Sequence, residues 1–170
     1  MKKIILAMVA VMVPLMLSAG STDFWFRHFS VEDGLSSSAV RAIMQDKYGF
    51  MWLGTDDGLN RYDGTTIKIY RLNPEGVNDY ISFLYDTTDR IWIGTGDGVY
   101  IYDYETENFE PFKLLTAKGD SIKTNVNHIA EDRDGNLWFS TVGQGIFKYN
   151  ISKHYLERYE FKDADGLMAS

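Results

Sequence analysis

MWLGTDDGLNRYDG, residues 51–64, is rewritten forty residues later as IWIGTGDGVYIYDY, residues 91–104, and a third time, more loosely, as LWFSTVGQGIFKYN, residues 137–150. Alignment on tryptophan holds the register across all three copies. Trp52, Trp92 and Trp138 are preceded at six residues by Asp46, Asp86 and Asp132 and followed at three by Thr55, Thr95 and Thr141. Gly58, Gly98 and Gly145 come next, the last displaced by one inserted residue, then Tyr62, Tyr102 and Tyr149, then Asp63, Asp103 and Asn150. Unrelated turns would not share so many positions, so the three segments are one unit repeated.

Each copy reads as short strands divided by turns. In the first, VRAIMQD (40–46), MWLGT (51–55), LNRYD (59–63) and TIKIYRL (66–72) are β-rich runs separated by KYGF, DDG and GT. The glycine of the second turn suits the positive φ of a tight hairpin. The aspartate closing each first strand can accept backbone amides of the turn that follows. The run IWI has no polar–apolar alternation, which predicts a strand covered on both faces. Four antiparallel strands recurring every 40–46 residues match the period of a β-propeller blade. The fold expected is therefore all-β: about three four-stranded blades in an open, incomplete ring. The tryptophans fill the space between one blade and the next. The expected segments are 24–39 as an outer strand and lead-in, 40–79, 80–125 and 126–162 as blades, and 163–170 as the lead-in to a further blade.

The chain opens differently. Lys2 and Lys3 precede an apolar stretch, Ile4 to Leu17, and Ser18-Ala19-Gly20 supplies small residues, which together predict an export signal over 1–20. Its removal takes two lysines and no acid, so the formal charge of −7 becomes −9. An acidic chain without a basic patch is poorly suited to nucleic acid or an anionic membrane. There is no cysteine, hence no disulfide and no lipid attached through one. Aromatic residues make up 15% of the sequence, which fits large side chains in a β core or a carbohydrate-facing surface.

FRHFSVEDGLSSSAVRAIMQDKYGFMWLGTDDGLNRYDG (26–64) resembles the two-component regulator propeller repeat. The lead-in F-x-x-F-S-x-E-D-G-L-S and the pattern I-x-x-D-x-x-G-x-x-W-x-G-T-x-x-G-L-x-x-Y-D-G carry the resemblance, which extends over nearly all of 24–170. The third copy departs from it, with Ser140 in place of the glycine and Gln144 in place of the turn acid. The resemblance implies the periplasmic sensor part of a hybrid histidine kinase, an inner-membrane protein that responds to breakdown products of polysaccharides. It implies further blades, then a linker domain, membrane helix, kinase core, receiver and DNA-binding domain beyond these residues. The expectation is an N-terminal sensor fragment, itself not an enzyme and without a cofactor.

Other readings are set beside it. EDRDGN (131–136) has alternate acids that could hold Ca²⁺, but Asp132 aligns with Asp46 and Asp86 in a hairpin turn, so no metal site is expected. Asp56 and Asp57 suggest the acid–base pair of a secreted propeller lyase or hydrolase acting on glycans, yet adjacent turn residues point apart. A stand-alone module that completes its ring with copies of itself is the third reading. Residues that break the repeat in loops are the ligand candidates: Trp25, Asn78, Tyr80 and Asn125, facing an oligosaccharide. Expected partners are thus a glycan-derived ligand, further blades of the same or a longer chain, or a second copy, and no nucleic acid. Circular dichroism of residues 21–170 is expected to show a β spectrum with almost no helix; a substantial helical signal would exclude the propeller.

Overall fold

The computed structural model describes residues 26–72 and 79–160. They form three four-stranded antiparallel sheets, each with its strands in chain order. Sheet 1 contains β1 (Val40–Gln45), β2 (Met51–Thr55), β3 (Gly58–Tyr62) and β4 (Ile67–Tyr70). Sheet 2 contains β5 (Ile81–Asp86), β6 (Arg90–Thr95), β7 (Val99–Asp103) and β8 (Asn108–Pro111). Sheet 3 contains β9 (Val126–Glu131), β10 (Leu137–Thr141), β11 (Gly145–Asn150) and β12 (Tyr155–Tyr159). The first strands lie side by side at the hub, β1 beside β5 and β5 beside β9, so the sheets fan outward as blades. No α-helix occurs among the described residues, as the repeat predicts.

Three devices follow from the repeat, two of them present in all three sheets and one in sheets 1 and 3. At the second hairpin Thr55, Thr95 and Thr141 donate their hydroxyls to the carbonyls of Gly58, Gly98 and Gly145, at 2.9, 3.1 and 2.6 Å. Those glycines have φ of 117°, 149° and 80°. At the third hairpin the Asp63 carboxylate accepts the amides of Thr65 and Thr66, Asp103 those of Glu105 and Thr106, and Asn150 that of Lys153. At the first hairpin Asp46 accepts the amides of Tyr48 and Phe50, and Asp132 those of Asp134 and Asn136.

Asp86 departs from the part expected of it. Gln45 pairs with Met51 and Glu131 with Leu137, but in sheet 2 the pairing reaches one residue further, Asp86 with Ile91. Thr87 then closes on Arg90 in a tighter turn. Gly49 and Gly135, at φ 88° and 77°, allow the longer loop in sheets 1 and 3; Asp89 stands at that position in sheet 2. Asp86 accordingly turns to another partner and accepts the Tyr104 hydroxyl at 2.9 Å.

Two apolar seams hold the sheets together. The first contains Trp52, Leu59, Ile81, Leu84, Ile91, Ile93 and Tyr102; the second contains Trp92, Val99, Val126, Ile129, Phe139, Phe147 and Tyr149. Sheet 2 is covered on both sides, and β6 is buried along its length after Arg90, as the IWI run predicts. The outer strand expected over 24–39 is absent from its described part: residues 26–39 form coil and a 3-10 turn at Val31–Asp33. A strand needs a paired neighbour, and here the segment packs side chains instead, with Phe29 edge-on to Tyr62 at 4.9 Å and Leu35 buried. The expected signal segment, Trp25, Asn78 and the 163–170 lead-in lie outside the described residues.

Trp92 is 2% exposed and touches Phe139 and Tyr149 across the second seam. Trp92→Ala is expected to destabilise by about 3–5 kcal/mol. Trp138, which is partly exposed, should lose roughly half of that or less, in urea denaturation of both variants beside the parent.

Candidate functional site

The backbone gathers the repeat-breaking loops at one end of the fan. Ala39, Tyr80 and Asn125 each stand just before a first strand, and their carbonyls accept the amides of Asp56, Gly96 and Val142 in the second hairpins. Tyr80 and Asn125, chosen from the sequence, thus occupy the same place in sheets 2 and 3 and look out from the same rim. The Tyr80 ring lies beneath the Arg41 guanidinium, 5.9 Å from its centroid. Asn125 has its Oδ1 shielded and without a hydrogen-bond donor.

The rim is more strongly charged than the sequence reading anticipated. Arg41 grips Asp56 with two hydrogen bonds, 2.6 and 2.9 Å. Hydrogen bonding to Asp56 raises the Arg41 pKa, and the same bond holds the Asp56 carboxyl below its ordinary value. Arg71 reaches Asp57 at 2.9 Å. Asp56 and Asp57 therefore face two different guanidiniums, which bears out the reading that adjacent turn acids point apart. Arg41 and Arg71 were not singled out; the signal available was an arginine on each side of an acidic hairpin. Further round, Lys123 donates its amide to Gln144, and Arg158 reaches Asp120 and Glu160 at 3.5 and 3.1 Å.

A second concavity, of about 900 Å³, opens at the opposite end beside the tight Thr87–Arg90 turn. Its polar groups largely satisfy one another. Lys47 donates to the Thr88 carbonyl, Arg90 lies 3.6 Å from Asp103, and the Tyr149 hydroxyl meets His154 Nδ1 at 2.9 Å. Burial and the bond to Asp86 push the Tyr104 hydroxyl pKa up, so it remains a donor.

The acidic turns carry out structural chemistry. The Asp132 carboxylate accepts the Trp138 indole N–H at 2.8 Å and both the side-chain and backbone nitrogens of Asn136. Asp46 receives the Trp52 indole N–H at 2.7 Å. Among the described residues no three ligating side chains are grouped to hold a metal ion. What the rim offers is an aromatic ring, amides and fixed ion pairs: surface for binding a polar ligand by hydrogen bonds and stacking.

Sheets fanning from a hub of first strands, each closing its apolar face on the next, define a segment of a β-propeller. Residues 34–57 and 121–143 match the family model described as two component regulator propeller, which bears out the resemblance read from the repeat. The chain is 30% identical to the extracellular domain of a hybrid two-component system of B. thetaiotaomicron, covering 78% of this chain and 20% of that one with a TM-score of 0.70. A second such extracellular domain from B. thetaiotaomicron is 23% identical over 87% of this chain and 24% of its own, TM-score 0.61, a likeness of fold. Histidine kinase P4 of Formosa agariphila is 56% identical over 59 residues, 35% of this chain. The chain spans 4% of that kinase and about a fifth of the first extracellular domain.

Hydrogen bonds from Trp138 and Asn136 hold the Asp132 carboxyl well below the usual carboxylate range. A depressed folded pKa contributes stability above the unfolded value, about 3.9, and loses it as pH falls through the folded pKa. Asp132→Asn is therefore expected to destabilise at pH 6, and its deficit against the parent should shrink at pH 3 in urea melts. A deficit independent of pH would mean that the charge is not what Trp138 and Asn136 recognise.

Proposed function

We propose that this chain is the ligand-recognition part of the exported sensor of a hybrid two-component system, that it is non-catalytic, and that its ligands derive from glycans. The observation that carries the reading is the 30% identity over 78% of the chain to an extracellular domain of such a system. The apolar stretch after Lys2 and Lys3 supports export to the periplasm by a cleaved signal. The non-catalytic reading is supported by the state of the acids: Asp46, Asp56, Asp57, Asp63 and Asp132 are all engaged by indole, guanidinium or backbone donors. A glycosidase needs two carboxyl groups free to exchange protons across one sugar. The reading is also supported by the Tyr80 ring at the rim, an aromatic surface suited to a sugar face.

Isothermal titration of the exported chain with oligosaccharides from degraded polysaccharides tests the proposal. Saturable heat with no change in oligosaccharide length is the expected result. Tyr80→Ala should weaken binding about tenfold, equivalent to about 1.4 kcal/mol. Shortened or unsaturated sugar products would replace the sensor reading by the enzyme one, and absence of binding to any neutral or acidic glycan would remove the ligand class.

A further inference from the structure

The tryptophans of the repeat stand in register, and two of them are paired in the same way. The Trp52 indole N–H goes to Asp46 at 2.7 Å and that of Trp138 to Asp132 at 2.8 Å, each at the first hairpin of its own sheet. Trp92 breaks the pattern. Asp86 is spent on Tyr104, which packs in the first seam, whereas Trp92 packs in the second. Among the described residues no group accepts the Trp92 N–H, although the residue is only 2% exposed. The indole nitrogen is not sealed from solvent as the Oδ1 of Asn125 is. A buried indole N–H ordinarily finds an acceptor, so an unpaired one calls for an explanation.

Trp92 lines the concavity of about 900 Å³ beside the Thr87–Arg90 turn, a volume within the usual range of small-molecule sites, about 300–1,000 Å³. The walls come from sheet 2 and from the sheets on both sides of it, so sheets added beyond sheet 1 or sheet 3 would leave them unchanged. Arg90 lies two residues before Trp92 and therefore on the same face of β6. Its guanidinium is 3.6 Å from Asp103, longer than a hydrogen bond, and makes no hydrogen bond among the described residues. Burial raises the pKa of the Tyr149 hydroxyl and the Arg90 charge opposes that rise, which sets the guanidinium towards the second seam. Two unspent donors thus stand at this concavity, at the hairpin where sheets 1 and 3 hold a carboxylate. Asp103 is itself engaged by the amides of Glu105 and Thr106. With Asp89, Glu105 and Glu131 also on the walls, a second negative charge on a ligand would be repelled.

We propose that this concavity is a ligand site, separate from the rim, for a small monocarboxylate whose carboxylate accepts the Trp92 indole N–H and the Arg90 guanidinium. The repeat itself specifies the chemistry. Two copies supply the carboxylate to the indole from their own chain, and the middle copy turns its aspartate to Tyr104 instead. Arginine beside a donor N–H suits a carboxylate, which accepts several hydrogen bonds at once. The remainder of the ligand meets acidic walls and so carries hydroxyls, as a sugar acid does, or an ammonium, as an amino acid does. The site does not depend on what the rim at the opposite end binds.

Nuclear magnetic resonance of the indole N–H groups in the isotope-labelled exported chain provides the test, with Trp92→Phe identifying the Trp92 resonance by its loss. Glucuronate and alanine are the probes; glucose and alaninamide are their counterparts without a carboxylate. A saturable downfield shift of the Trp92 indole proton is expected with at least one of the two acids and with neither counterpart. Trp52 and Trp138, already bonded to carboxylates, should not follow it. Which acid binds decides between a sugar acid and an amino acid. Arg90→Gln, at a half-exposed side chain, should weaken binding about tenfold. Asp89→Gly gives sheet 2 the glycine that the other two first hairpins have at that position. It should let Asp86 reach the indole, move the Trp92 resonance downfield without any ligand, and abolish the response to the acids. A Trp92 resonance that ignores both acids, one that responds equally to glucose and alaninamide, or an Arg90→Gln variant with the parent's affinity overturns the proposal. So does an Asp89→Gly protein whose resonance has moved and which still binds as the parent does. The readout is confined to Trp92, so this site and the rim fail separately.

Discussion

The rest of this structure depends on a tryptophan that is fixed by its own sheet and buried by the next one. A four-stranded sheet with two apolar faces has no interior of its own and must bury both against other layers. Trp52 shows how the repeat solves this. Its indole N–H would be costly to bury unpaired, and Asp46 takes it. The ring is then free to be wholly covered by Tyr102, Phe109 and Ile81 of the following sheet. The aspartate also ties down the first hairpin, so one carboxylate both shapes a turn and aims the residue that makes the seam. Close approach is the remaining requirement. Gly54 meets it: a Cβ there would lie 2.6 Å from a side-chain carbon of Ile81, so any larger residue would push the second sheet away.

Because each seam joins neighbours only, stability is unevenly distributed. Sheet 2 gives both faces to seams, and its central strand is almost entirely buried. Among the described residues, sheets 1 and 3 have one seam each. Such a chain behaves as a short one-dimensional array in which the interior unit is held by two interfaces and the end units by one. Ile43 and Tyr159, on the outer faces of sheets 1 and 3, are exposed, whereas the residues of the seams are buried. The middle copy is also the one that departs in register at its first hairpin, with Asp86 released to Tyr104. Two full seams make that departure affordable: the sheet does not need the Asp–indole bond in order to place Trp92, which Phe112, Phe139 and Tyr149 surround.

The fold was legible because it is periodic. Register across three copies constrains strand, turn and face together, and the IWI run even marked the doubly covered strand. What eluded the reading was whatever depends on a partner distant in sequence or on a single backbone step. The threonines were visible in register, but their hydroxyl bonds to the glycine carbonyls follow from hairpin geometry rather than from spacing. Asp86 looked equivalent to Asp46, and only the missing glycine at position 89 pointed to another turn. An outer strand was expected over 24–39 because the segment resembles true outer strands, yet strandness belongs to a pair and residues 26–39 have none. Of the rim, Tyr80 and Asn125 were found as breaks in the repeat, while Arg41 and Arg71 were passed over, since an arginine reveals its meaning only through the acid that it meets.

The same reasoning underlies the recognition rim proposed above. In a repeat architecture the residues common to every copy are consumed by the architecture: the aspartates by turns and indoles, the threonines by hairpins, the tryptophans and tyrosines by seams. Chemistry left over for a ligand must come from residues that differ between copies and stand where the sheets converge. Ala39, Tyr80 and Asn125 hold one equivalent position with three different side chains, above hairpins that carry an acid pair, a glycine–aspartate and a valine–glycine–glutamine. A rim whose backbone is repeated and whose side chains are not can present three distinct contacts to one asymmetric molecule. The glycan-derived ligand proposed above, which needs several hydrogen bonds in fixed directions, is of the kind that such a rim would suit.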